Sequence, residues 1–169
     1  MSFAFLDIEA VIEDVRDALV AGLPTAIAAI NSAATDGVAL ADIAAGSYWT
    51  HMPDIKLGRG DFDYPAIAIV DEGVSPTEDS NCGFYTQRYS VIVDVLVRGE
   101  SPADVTCRTR RYAKAIAKVL APRASALNGS GRMCDFVSSS THRATDPESG
   151  DFLQDIAQRY VITQGEATA

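Results

Sequence analysis

Apolar positions along the chain fall into two periods, and the change between them marks out the elements. From Asp7 to Ala33 the apolar residues Ile8, Val11, Ile12, Val15, Leu19 and Leu23 recur at steps of three and four. That spacing places them on one face of a helix, with Glu13, Asp14 and Asp17 opposite. Pro24 removes one backbone donor, so the pattern predicts a bent helix or two short ones. Residues 34–64 show no sustained period and are punctuated by Gly37, Gly46, Pro53, Gly58 and Gly60; "GVALADIAA" within them reads as a short turn of helix. Irregular stretches of that length usually carry function or hidden structure. Its end, "IKLGRGDFDY", reads as an exposed polar segment.

"PAIAIVD", Pro65 to Asp71, reads as a short buried strand, and "EGVSPTEDSNCG" as a polar loop. From Tyr85 the period becomes two. Tyr85, Tyr89, Val91, Val93, Val95 and Val97 alternate with a mixed set that includes Ser90, Ile92, Asp94, Leu96 and Arg98. That alternation predicts a half-buried strand of an antiparallel sheet, roughly 45 Å long at about 3.3 Å per residue. "GESPAD" then opens a helix, with Ser101 as N-cap, Pro102 at the first position and Asp104 in the first turn. Val105, Tyr112, Ile116, Val119 and Leu120 form its apolar stripe, Arg110, Arg111, Lys114 and Lys118 lie opposite, and Pro122 marks its end. "RASALNGSG" reads as loop, "RMCDFVSSS" as strand and "THRATDPESGD" as a second polar loop. Phe152 to Gln164 alternates again, with Ile156, Tyr160 and Ile162 on one face and Leu153, Ala157 and Val161 on the other. The order α(α)-β-β-α-β-β predicts one α+β domain over residues 1–169, a mostly antiparallel sheet flanked by helices, with 164–169 a flexible tail.

Charge changes this picture more than composition does. The 169 residues are 47% apolar, enough for a core, and the net charge is −9. An acidic chain is a poor general nucleic-acid binder. The charge is uneven: the first 80 residues carry 14 acids and 3 bases, the remainder 9 acids and 11 bases. A dipolar particle of this kind suits head-to-tail association. Arg110, Arg111, Lys114 and Lys118 on the second helix, and Glu13, Asp14 and Asp17 on the first, are therefore the candidate subunit interface. A plainly solvated surface is the competing reading.

Candidate chemistry is sparse. The three cysteines, Cys82, Cys107 and Cys134, form no CxxC pair and fit a reducing compartment, with Cys107 and Cys134 as packing residues. The N-terminus lacks the pattern of a signal peptide, and no apolar run reaches membrane-spanning length. His51, beside Trp49, and His142 lack partners at metal spacing. Ser139, His142 and Asp146 contain the residue types of a hydrolytic triad without its nucleophile motif. Phosphate-binding glycine motifs are absent. No cofactor, metal or catalytic residue is expected.

"YPAIAIVDEG", "RYSVIVDVLVRGESPADVTCRTRRYAKAIAKVL" and "DIAQRYVIT", preceded by an acidic helix, resemble the tail terminator or tail completion proteins of long-tailed bacteriophages. The resemblance spans Pro65 to Thr163 and lies in the order of elements. It implies a structural virion protein in a six-fold ring, assembled in the bacterial cytoplasm. Its implied partners are other copies of itself, the tail tube protein and the head connector or stopper, with DNA passing through the lumen unbound. Residues 34–64 and 72–83 match no feature of that family. A neck stopper or head–tail adaptor is the nearest alternative within the class. A small ligand-binding domain or enzyme, with its site near Trp49–His51 and His142, is the alternative outside it.

Overall fold

The computed structural model describes residues 7–51, 63–79, 84–120, 133–146 and 149–167. Helix α1, Ile8–Ala33, is continuous through Pro24, so of the two expectations, one bent helix or two short ones, the structure excludes the second. A proline inside a helix forfeits one backbone hydrogen bond. The apolar stripe, which continues beyond it through Ala26, Ile27 and Ile30, is buried and offsets that loss. Asp7 caps the helix by accepting from the Glu9 amide at 3.4 Å.

The sheet has five strands: β1 (Tyr48–Trp49), β2 (Ala66–Asp79), β3 (Phe84–Gly99), β4 (Met133–Thr145) and β5 (Phe152–Ala167). Their spatial order is β1-β2-β3-β5-β4, all antiparallel except the β1–β2 pair. Helix α2, Pro102–Leu120, connects β3 to the outer pair. The fold is α+β, as the sequence predicts.

Three boundaries differ from expectation. The 72–83 stretch is not wholly loop, because β2 runs to Asp79 past a bulge between Asp71 and Gly73. The polar segment from Thr141 to Thr145 belongs to β4. Gly165 to Ala167, expected in a loose tail, pair with Thr86 to Phe84 of β3. In the 34–64 stretch the structure shows no helix at "GVALADIAA"; it has one 3₁₀ turn, Ala45–Ser47, followed by β1. Residues 52–62, which hold "IKLGRGDF", lie outside the described residues, as do 121–132.

Both helices lie on one face of the sheet. There Val11, Val15, Leu19 and Leu23 of α1 and Tyr112, Ile116 and Leu120 of α2 meet Ile67, Ile69, Val91, Val93, Val95, Tyr160 and Ile162. Alternation along β3 explains this, since its odd-numbered positions point to the helices. Ser101 caps α2 as predicted, its hydroxyl accepting from the Asp104 amide at 3.3 Å. A Cβ added to Gly22 would sit 2.8 Å from Val119, so the glycine permits close approach of the helices.

Arg98, near the end of β3, fastens the β4–β5 turn. It pairs with Asp151 at 2.7 Å and with the buried Asp146 at 3.3 Å, and it donates to Ser149. Removing one partner of a buried pair leaves the other carboxylate poorly compensated. Arg98→Ala should therefore lower the unfolding midpoint, chiefly through the buried Asp146 that it leaves without its cation. Urea unfolding at neutral pH checks it, and an unchanged midpoint would contradict the role given to Arg98.

Candidate functional site

The cationic face of α2 is real but incomplete. Arg110, Lys114 and Lys118 are exposed. Arg111 is not a solvated cation: it pairs with Asp36 at 2.6 Å and donates to the Val38 carbonyl, both beyond the end of α1. Asp36 is held below the usual carboxylate range by that guanidinium and by the Val38 amide. Arg111 thus ties down its own chain. The acidic residues of α1 are also partly engaged within the helix: Arg16 pairs with Glu13 at 2.5 Å and with Asp17 at 3.1 Å. Asp14 lies on the same helix and is part-exposed. Arg110, Arg111 and Lys114 border an open groove along α2 with Pro102, Thr106 and Cys107 near its start.

The candidate histidine sites separate. His51 makes an edge contact with the Trp49 ring, centroids 5.6 Å apart. His142 lies on β4, not in a loop. It and Ser139 sit on opposite faces of that strand, and Asp146 is committed to Arg98, so the three do not assemble as a triad. Among the described residues no group of three or more His, Cys, Asp or Glu is placed to hold a metal, and no helix is long and apolar enough to cross a membrane. Cys134 is partly buried, which together with Asp135 pushes its thiol up to about 12.

The face of the sheet opposite the helices carries a cluster that the sequence did not reveal. Asp94 of β3, Asp155 of β5 and His142 of β4 share it. Asp155 stands directly across from His142 and one step diagonal from Asp94. His142 Nδ1 is 3.0 Å from Asp155 Oδ2. The hydrogen bond and charge of Asp155 raise the histidine's affinity for a proton. Asp94 is buried with one carboxyl oxygen lacking a partner. Burial first, then the Asp155 charge, push its carboxyl up to about 7, against the opposing pull of His142. Nearby, Arg159 of β5 pairs with Glu72 of β2, which also accepts from the Ser90 hydroxyl at 2.9 Å. Their shared feature in the sequence is only the parity of position along three separate strands.

The sheet is long. Among the described side chains the last core residues on β3 and β5 are Tyr89 and Ile162, and the backbone ladder continues through Thr86↔Gly165 to Phe84↔Ala167. Beside it β2 continues to Asp79. The five residues of β3 before Tyr89 add about 17 Å of paired backbone.

No protein-family model matches the chain, and no curated protein matches it. A chain in the solved structure described as "Virion of native gene transfer agent (GTA) particle" is similar with a TM-score of 0.46 at 15% identity. The match covers 96% of this chain and 100% of that one.

Proposed function

We propose that this chain is a structural virion protein that forms a ring at the head-proximal end of a phage tail. The ring caps the tail tube and joins it to the head connector. The observation that carries this reading is the long paired backbone of β2, β3 and β5, which runs on past Val74, Tyr89 and Ile162. A ring protein needs a rigid body and an arm that reaches a neighbour or the tube, and a long three-stranded ladder supplies both. The sequence resemblance over Pro65 to Thr163 supports the same role. On this reading the partners are further copies of the chain, six to a ring as the resemblance implies, the tube protein and the connector or stopper. DNA passes through the lumen without being bound, and no reaction is catalysed. A stopper or adaptor remains the rival within the class.

Negative-stain imaging of the purified protein, alone and mixed with tails lacking it, tests the proposal. Rings, or new density at the head-proximal tip of tails, are expected. Protein that neither self-associates nor attaches to tails would sink it. The ligand-binding alternative has one observation in its favour, the Asp94–Asp155–His142 cluster. It would gain ground if the purified protein carried a small molecule whose loss followed His142→Ala.

Charge reversal on α2 gives a separate prediction. Lys114→Glu with Lys118→Glu should weaken self-association at low salt and leave the melting temperature within a few degrees, because both side chains are exposed. Arg111→Glu is unsuitable for this purpose, since it also breaks the Asp36 and Val38 contacts. Sedimentation velocity at two salt concentrations reads the result; unaltered association excludes the basic helix as an interface.

A further inference from the structure

The sheet has two outer edges, and among the described residues both are open. On one side β1 pairs only with Ile67 and Ala68 of β2. Among the described residues the outer side of β2 is therefore unpaired from Ile69 onward, and Pro76, which has no N–H, interrupts that edge. On the other side β4 is the terminal strand, exposed at nearly every position. Long unprotected edges invite further strands, and proteins usually blunt them with lysine, proline or a cover. β4 has neither lysine nor proline over its 13 residues.

Exposed apolar side chains are concentrated on the same two strands. Val74 of β2 is 42% exposed, and Met133, Phe136 and Val137 of β4 are 63%, 48% and 51% exposed. Val20 of α1 is the remaining large apolar residue so exposed among the described residues. Register places these groups level with one another. Val74 faces Tyr89, which faces Ile162, which faces Cys134; Ser75 lies in the same way on the row of Arg88, Thr163 and Met133. The free stretch Ile69–Ser75 therefore spans the same rows as Met133–Ser139. Each stretch has one bulge, at Asp71/Gly73 and at Phe136/Ser138, so their lengths stay matched.

We infer that β4 of one copy pairs antiparallel with β2 of the next, Met133–Ser139 against Ile69–Ser75, making the sheets of adjacent subunits continuous. Strand polarity permits it: β2, β3, β5 and β4 alternate in direction, so β4 and a neighbour's β2 run oppositely when the copies are related by rotation about the strand direction. The contact uses different surfaces on the two partners, so it is heterologous and propagates. Because the matched rows are level, it builds in no rise from copy to copy, as closure into a ring requires. This seam gives the ring reading above its contact and rests on that reading for closure alone.

Site-specific crosslinking tests it. Ser75 and Met133 are exposed, share a row and become each other's neighbours across the seam. The double variant Ser75→Cys, Met133→Cys is made with Cys82→Ser, Cys107→Ser and Cys134→Ala, so that no native thiol remains, and oxidised at a concentration where the parent chain associates. The expected result is a ladder of disulfide-linked oligomers that collapses on reduction, with peptides joined through positions 75 and 133 identified by mass spectrometry. Either single-site variant should remain monomeric on a non-reducing gel. Rings by electron microscopy without that crosslink would overturn the seam and leave the ring reading standing. Crosslinked dimers from a single-site variant would indicate a two-fold contact and overturn it too, as would the absence of any association. Val137→Lys, at the exposed bulge, provides an independent arm. Loss of association with an unchanged melting temperature is expected, and undiminished association would count against the pairing.

Discussion

Asp94→Asn should make the protein more stable at pH 8 and leave it almost unchanged at pH 4. Folded Asp94 keeps its proton up to about 7, whereas an exposed carboxyl in the unfolded chain releases it near 4. Between those values the folded state binds more protons than the unfolded state, so stability falls as pH rises. The favourable contribution is complete below about pH 4 and gone above about 7. The groups facing Asp94 are Asp155 of β5, which deepens the effect, and His142 of β4, which opposes it; β2 presents Ala68 directly opposite. Arg159 lies on the same face and is paired with Glu72. His142 pulls in the same direction with pH, because its raised affinity for a proton is lost as the ring neutralises. An asparagine amide at position 94 can donate to Asp155 at every pH, as the protonated acid does only in mild acid. The gain at pH 8 should be roughly 2–4 kcal/mol, or about 5–10 °C in melting temperature for a chain of this size. Thermal unfolding of both proteins from pH 4 to 8 measures it. Parallel profiles would show that Asp94 is not the titrating group.

That cluster illustrates what the sequence conveys and what it withholds. The alternation of β3 and the Ser101–Pro102 entrance of α2 are local signals, and both elements stand where the pattern puts them. Asp94 is legible as a polar position on the mixed face of its strand. Its neighbours come from β4 and β5, and only the register of pairing brings them together. The outer strands were misread for a different reason. Gly73, Ser75 and Pro76 have the chemistry of a loop, yet an edge strand tolerates them because one side of its backbone is not needed for pairing within the chain. The bulge after Asp71 also reverses which residues face the helices, so the alternation breaks where the strand does not. On β4 the run Thr141 to Thr145 is mostly polar because it is mostly exposed, and polar residues at an outer strand look like a loop until the partner is known. As for the candidate interface, the cations of α2 were visible as a face by spacing. The withdrawal of Arg111 from that face was not, because its partners lie in a segment without any period.

That segment, residues 34–44, carries the second large prediction. It is irregular in backbone but held by three side chains of the adjoining helices. Asn31 of α1 bonds both ways to Leu40, accepting from its amide at 2.8 Å and donating to its carbonyl at 2.9 Å. Arg111 of α2 holds Asp36 and Val38. Tyr112, one residue on, is buried among the core residues and donates its hydroxyl to the Ala41 carbonyl at 2.7 Å. Backbone groups without a ladder partner must be satisfied in some such way where they approach the core. Tyr112→Phe keeps the ring and loses one hydrogen bond, so it should cost about 1 kcal/mol. Tyr112→Ala also opens a cavity beneath Leu40 and α1 and should cost about 3–5 kcal/mol. Hydrogen exchange separates the two contributions. In the phenylalanine variant the Leu40 amide, still bonded to Asn31, should keep its protection, while in the alanine variant protection should fall across the segment and α2 alike. Equal stability of the phenylalanine and alanine variants would mean that the ring adds nothing to the core, contrary to its burial.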